Sequence, residues 1–562
     1  MWTPPSTRPL LAHRIGRMTM LLITGGRVHD PRNGIDGELR DLAIENGKIV
    51  HGVAVSTPER RIDASGCVVM PGGVDMHCHI AGTSVNRARR LLASKALPIA
   101  RRCQSIREWN ERGGLVPSTF VTGHRYGALG YTTAIEAAVA PSGARQCHLE
   151  LEDTPNIDRA FLLLLANNEA ICDLLFRGER EEARSVVAAL LARTGAFGIK
   201  AVNPGGVALW KSEHGRVDSL DQKLGSGNVT PRTILELLVE CAEELRLPHP
   251  VHIHANRLGV PGNIETTLET SRALDGRRHH LTHVQFHAYG AEGSGGYSSA
   301  AQRLVDHFNA HTELTMDVGQ VMFEEALTLS ADLALEHTLW QLTGKRYATI
   351  DLELETGCGM VPFRYLPGSR MHALQWAVGM EIFLLCHDPW RLALSTDHPN
   401  GGSFLTYPKI IALLMSREAR REAMRAAHPD ALATTVLADL TREYTLQEIA
   451  IVTRAAPARI LGLERKGHLG PGADADVTVY DDTADRELMF RTPRYVIKGG
   501  VVIVEKGELR EPAPGSTLCA GLPLSRRESR PLSRWFEQHG SYSLEQLGPA
   551  PAQREQMQKV LG

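Results

Sequence analysis

His77 and His79 flank Cys78 at the end of the run VVMPGGVDMHCHIAG. Residues i and i+2 of a strand project from one face, so one metal ion can take both imidazoles. The pair stands at a strand's C-terminal end before a glycine-containing loop, which is where (β/α) barrels build active sites. Two histidines satisfied by backbone groups would give the same short pattern. Lys200, in AFGIKAVNPGG, is a cation in an apolar strand. It must find a counter-charge, shed its own charge or snorkel to solvent. Reaction with carbon dioxide would make its amine a carbamate, an anionic oxygen donor able to bridge two cations.

Two further strand candidates are rich in histidine. In HPVHIHANRLG, His252 and His254 share a face, and HHLTHVQFHAYG offers His279, His280, His283 and His287. His254 and His283 stand at the strand ends and are the best-placed ligands; the others pack, bind substrate or face solvent. Asp397 closes the series in RLALSTDHPNGG, where an apolar strand ending in Thr-Asp-His delivers a carboxylate for metal binding and proton transfer. Alone, it would equally suit a cap on a turn or helix. The recurrence of His-x-His, Lys, His, His and Asp, each at the end of a separate strand candidate, is harder to assign to coincidence than any one of them. The set supplies nitrogen and oxygen donors for two nearby divalent ions, zinc or similar.

The elements that must position these groups alternate. From residue 70 to 454, apolar strand candidates such as FGIKAV and HPVHIH alternate with helical stretches such as ILELLVECAEEL. That alternation predicts a parallel α/β architecture. Short β-branched runs broken by Gly, Asn and Asp turns occupy residues 21–69 and return at 455–510, so both ends of the chain are expected to pair into one small β-sandwich domain. Residues 1–20 read as a disordered extension. Residues 511–562, rich in Pro, Arg and Gln, read as a loosely ordered tail or partner-binding arm.

Composition limits the alternatives. With 562 residues, 43% hydrophobic and 22% charged, the chain suits a folded protein and not a disordered one. A net charge of -2 gives no global basis for binding nucleic acid. Apolar runs such as Phe161–Ala166 are too short to span a membrane. Nine cysteines without a C-x-x-C pair indicate a reducing, cytoplasmic setting. The G-x-G-x-x-G, Walker A and G-x-S-x-G patterns are absent, so nucleotide-cradling and serine-hydrolase chemistry lack their usual signals. Only 11 of the 62 basic residues are lysine, which makes Lys200 conspicuous.

The order of the metal-binding elements within a split β-unit resembles the amidohydrolase superfamily over about residues 21–510. The stretches PSTFVTGHRYGALGYTTAIEAAVAP, FGIKAVNPGG, HIHANRLGVPGN, THVQFHAYG and LSTDHPNGGSF resemble the A subunits of formylmethanofuran dehydrogenases and of the bacterial formyltransferase/hydrolase complexes. The resemblance implies a distorted, TIM-like (β/α)8 barrel of a metal-dependent hydrolase. It further implies two zinc ions bridged by carboxylated Lys200: one also held by His77, His79 and Asp397, the other by His254 and His283. The implied substrate is an N-formyl furan cofactor of the methanofuran or methylofuran type. It would be hydrolysed to formate and the free amine, reversibly in archaeal relatives, with Asp397 moving the proton.

Arg125, Arg257 and Arg364 are candidates for the carboxylates of that cofactor's tail, or are surface residues of an arginine-rich chain. Asn203 and Asn256 are further candidates for substrate contact. The implied partners are formyltransferase-like and formylmethanofuran dehydrogenase-like B and C subunits. Two competing readings are a cyclic-amide or N-acyl amino-acid hydrolase on the same scaffold, and a metal-free scaffold protein of a complex.

Overall fold

Strands without polar alternation must be covered on both faces, which favours parallel sheets flanked by helices. The computed structural model describes residues 20–51, 58–91, 118–213, 215–225, 227–293, 296–343, 350–352, 357–523, 525–540 and 543–560. Eight such strands form its centre: β1 (Gly73–Cys78), β2 (Tyr131–Val139), β3 (Asp158–Leu164), β4 (Gly198–Val202), β5 (Val251–His254), β6 (His279–Leu281), β7 (Leu314–Gly319) and β8 (Leu392–Ser395). They pair in parallel and in chain order. The seam between β8 and β1 is drawn together at the C-terminal end, where His79 N donates to His398 O at 2.7 Å and Ser395 Oγ donates to His77 O at 2.7 Å. The fold is therefore a nearly closed parallel barrel with helices between the strands.

Local sequence explains those helices. Pro231–Glu244, for example, starts with proline in its first turn after Thr230, whose hydroxyl oxygen accepts from Thr233 N at 3.2 Å. Its buried face carries Ile234, Leu235, Leu238 and Cys241 at helical spacing.

The chain ends meet in one nine-stranded sheet. Strand Cys67–Pro71 pairs antiparallel with Val477–Asp481, in a register that sets Val69 opposite Val479. Ile23, Val28, Ile44, Ile62, Val69, Val477 and Ile497 form its core. The two chain ends therefore build one small β-domain beside the barrel, as expected. The expected extension at residues 1–20 lies outside the described residues except for Met20, which begins the first strand.

Two regions lie outside the alternating barrel, and the second is not the loosely ordered tail that is one of the two expectations for it. Between β7 and β8 the chain inserts an antiparallel sheet of Glu325–Ser330, Ile350–Leu352 and Gly357–Arg364, together with helix Leu333–Thr343. Beyond residue 511 the chain packs back on the barrel. Helix Arg526–His539 buries Leu532, Trp535 and Phe536 beside helix Arg180–Thr194, and Leu518–Cys519 pairs with Gln558–Lys559. The i, i+3, i+4 spacing of those three apolar residues is the helix signal that the surrounding charges obscure. Among the described residues no helix is long and apolar enough to cross a membrane.

A buried ionic cluster joins the small sheet to the barrel. Lys498 Nζ lies 2.7 Å from Asp158 Oδ2, at the start of β3, and 3.1 Å from Asp476 Oδ2. Lys466 pairs with Asp158 as well, and lies 2.7 Å from Asp476 and 2.8 Å from Asp474. Burial raises the Asp158 pKa, but the two lysines outweigh it and hold the carboxyl well below its usual value. The stabilisation is complete above the unfolded carboxylate value of about 3.9 and is lost as pH falls below it. Lys466→Met, which leaves Asp158 and Asp476 to share Lys498 alone, is expected to cost about 3 kcal/mol, read as a lower urea midpoint at neutral pH.

Candidate metal centre

The strand ends deliver their polar groups to one floor. His77 Nε2 and His79 Nε2 lie 3.1 and 3.2 Å from the same oxygen, Oδ1 of Asp397. These three side chains form a compact set of buried donors. Lys200, on β4, is buried, and among the described residues neither its Nζ nor His283 Nδ1 has a hydrogen-bond partner. His77 Nε2 faces only Asp397 among these residues, and His254 Nε2 lies beside Asp332. The rings of His254 and His283 stand 4.7 Å apart, and His77 is 5.3 Å from His283.

Tight backbone geometry holds these groups. His283, Asp397, Asn203 and Arg257 all have positive φ, at 36°, 48°, 41° and 63°, a conformation rare for non-glycine residues and concentrated here at strand ends. Gly319 ends β7 where a Cβ would come within 2.8 Å of Asp397 Cβ and 2.9 Å of His283 Cβ. Only glycine leaves room for both.

Outer partners orient the ligating rings. Glu136 Oε1 lies 3.0 Å from His79 Nδ1, and the same carboxylate accepts from Ile80 N and Ala81 N. Asp317 Oδ2 lies 3.3 Å from His77 Nδ1. Such carboxylate–imidazole pairs fix the tautomer and ring angle of metal-binding histidines. Asn400 Nδ2 donates to Asp397 Oδ1 at 2.9 Å.

The electrostatics suit cations. Burial pushes the Lys200 amine down to about 8, against the pull of Asp317, Asp397 and Glu136. Burial raises the Asp397 pKa, but His77 and His283 hold it well below the carboxylate range. Burial lowers His79, yet Asp397 and Glu136 bring it to about 9, so this floor draws positive charge to itself. Buried nitrogens of His77, Lys200, His254 and His283 around an ionised carboxylate fit a pair of divalent ions.

Above the floor lies a cavity of about 490 Å³ lined by Leu258, Phe286, Tyr297, Leu335, Phe363 and Tyr365, with Arg216 at its side. The inserted sheet and helix supply Thr328, Leu335, Leu339 and Phe363, so the insertion shapes the pocket.

The other sequence candidates lie elsewhere. Arg125 is half-buried on helix Thr119–Ala128, Arg257 pairs with Asp218 at 3.3 Å, and Arg364 is exposed; none is among the described lining residues. Asn203 donates to Asp332 Oδ1 at 3.0 Å and accepts from Asn256 at 2.7 Å, so both asparagines brace Asp332, whose Oδ2 is 3.7 Å from His254 Nε2. His252 and His280 lie beneath the floor. Sequence reasoning missed Glu136, Asp317, Asp332, Asn400 and Arg216. The first two carried a usable signal, a lone carboxylate inside an apolar strand.

Comparison with known proteins agrees with this geometry. The amidohydrolase family profile matches residues 60–504. The chain belongs to the amidohydrolase family. Within this family the chain is 41% identical to Protein FwdA of Methanocaldococcus jannaschii over 557 residues, covering 93% of this chain and 95% of that protein. It is 40% identical to the A subunit of the formyltransferase/hydrolase complex Fhc of Methylorubrum extorquens over 507 residues, covering 88% and 90%. A chain in the crystal structure of the Methylorubrum extorquens FhcABCD complex with methylofuran is similar with a TM-score of 0.91 and 37% identity, covering 97% of this chain and 100% of that one. A D-aminoacylase structure shares the amidohydrolase fold alone, at 14% identity and a TM-score of 0.50, covering 89% of this chain and 99% of that one.

Removing the bridging candidate tests the centre directly. Wild-type protein is expected to carry about two divalent ions per chain by elemental analysis, and Lys200→Ala about one or fewer. Equal metal content in both would rule out a ligand role for Lys200.

Proposed function

We propose that this amidohydrolase is the hydrolytic component of a formyltransferase/hydrolase-type complex and cleaves an N-formyl furan cofactor to formate and the free amine. The observation that carries the reading is the convergence of Asp397 and the buried nitrogens of His77, Lys200, His254 and His283 on the floor of one cavity. The similarity to a chain of a complex crystallised with methylofuran supports the substrate class.

In this reading His77, His79 and Asp397 would hold one zinc, His254 and His283 would hold the other, and Lys200, once carboxylated, would offer oxygen donors to both. Two divalent ions so held would activate water at neutral pH and polarise the formyl carbonyl. Asp397, kept ionised and oriented by Asn400, accepts a proton as water adds to the formyl carbon, then passes it to the departing amine nitrogen. Water supplies the oxygen of formate, and the C–N bond breaks.

The rest of the cavity serves recognition. Phe286, Tyr297 and Phe363 offer aromatic surface to a planar furan or aryl group. Arg216, whose guanidinium donates to Thr338 Oγ1, is the group placed to meet a carboxylate on the cofactor tail, in the role first considered for Arg125, Arg257 and Arg364. Formyltransferase-like and formylmethanofuran dehydrogenase-like B and C subunits would complete the assembly.

The decisive assay measures formate release from formylated methylofuran or methanofuran, alongside dihydrouracil and N-acetyl amino acids. Turnover of the formylated cofactor alone is expected; turnover confined to the other substrates would replace this reading with a cyclic-amidase or N-acyl hydrolase, and an inactive, metal-free native protein would favour a scaffold. Asp397→Asn should lower kcat by about 100-fold or more. Arg216→Ala should raise KM for the tailed cofactor about tenfold with little change in kcat.

A further inference from the structure

Three buried polar groups approach Nδ1 of His77 from beneath the floor: His252, Asp317 and Thr282, whose own proton goes to Asp317. His249 Nδ1 lies 3.1 Å from the carbonyl oxygen of Ile460, which only accepts, so this nitrogen carries the proton. In the neutral ring, Nε2 of His249 is then an acceptor, and it takes its hydrogen bond from His252 Nδ1 at 3.0 Å. That leaves Nε2 of His252 as an acceptor too, 3.1 Å from His77 Nδ1. On the other side stands Asp317 Oδ2, 3.3 Å from the same nitrogen, accepting also from Thr282 Oγ1 at 2.6 Å and His280 Nε2 at 2.9 Å. With acceptors on both sides, His77 must keep its proton on Nδ1 and turn the Nε2 lone pair to the floor.

The same carboxylate reaches the second half of the centre. Asp317 Oδ1 accepts from the backbone N–H of His283 at 2.9 Å, at the residue whose φ is 36°. Glu136, by contrast, meets only His79 among the histidines of the floor.

We propose that Asp317, with the His249–His252 chain, is the positioning device of the metal centre: it locks the His77 tautomer and holds the His283 backbone, so one buried carboxylate sets the affinity of both cation positions. The inference rests on the two-cation reading of the floor and is independent of the substrate.

The test strips the purified protein with a chelator and titrates it with Co²⁺, followed by visible absorption and elemental analysis. Wild type is expected to take two ions. Asp317→Asn should lose about 10- to 100-fold in affinity at both positions, whereas Glu136→Gln should lose it at one. His252→Leu should weaken the His77 position, and His252→Gln should restore it, because its amide oxygen can accept from His77 while its NH₂ donates to His249. The His252 pair decides the matter if Asp317→Asn does not fold. Failure of wild type to take two ions would overturn the two-cation reading itself. Wild-type binding of two ions, with unchanged affinity in Asp317→Asn or loss at one position only, or with His252→Leu and His252→Gln alike, would overturn this inference alone.

Discussion

A buried imidazole offers its lone pair to a metal only if its other nitrogen is made to keep the proton, and here that constraint is met from below. Asp317, His252 and Thr282 crowd His77 Nδ1, while Glu136 occupies His79 Nδ1. The Nε2 atoms of both rings then face Asp397 across about 3 Å. A change in any outer partner would alter donor directions that the ligating residues cannot correct themselves, because their strands are fixed in the barrel.

The barrel supplies rigidity, and the loops supply departures from regular geometry. Positive φ at Asn203, Arg257, His283 and Asp397 turns the chain just past β4, β5, β6 and β8, where each strand hands over from sheet pairing to site construction. Such conformations cost of order 1–3 kcal/mol each and persist where surrounding contacts over-determine them. The hydrogen bonds of His283 N to Asp317 and of Asp397 N to Ser395 Oγ are contacts of that kind. The small sheet and the Lys466–Lys498 cluster anchor the opposite end of the barrel, so the two ends are stabilised by different means.

What the sequence made legible follows from physics of short range. His77, His79, His254, His283 and Asp397 stand at or just past strand ends and Lys200 inside β4, so residue type and place along the strands, recurring down the chain, singled them out, and all six line one cavity. The parallel barrel was legible for the same reason. Arg216 was not: it lies in the segment after helix Gly206–Glu213, and only tertiary placement beside Thr338 turns it towards the cavity. The insertion between β7 and β8 was hidden because its apolar strands have the same texture as barrel strands. Helix Arg526–His539 was hidden because its three buried apolar residues stand in a run dominated by Arg526, Arg527, Glu528, Arg530, Arg534 and Glu537.

Lysine scarcity drew attention to Lys200, but two other lysines, Lys466 and Lys498, are nearly as buried. Their surroundings separate the cases. Lys466 meets three aspartates, which raise its pKa against the effect of burial, and Lys498 meets two. Near Lys200 the carboxylates are already engaged: Glu136 by His79 and three backbone N–H groups, Asp317 by His280, Thr282 and His283, and Asp397 by His77, His79 and Asn400. Among the described residues none pairs with the amine, and burial brings its pKa to about 8. An amine that is buried and, among the described residues, unpaired is poorly suited to a structural ion pair; in the proposed reading a carbamate there would answer the surrounding histidines and the bound cations instead of adding one more positive charge.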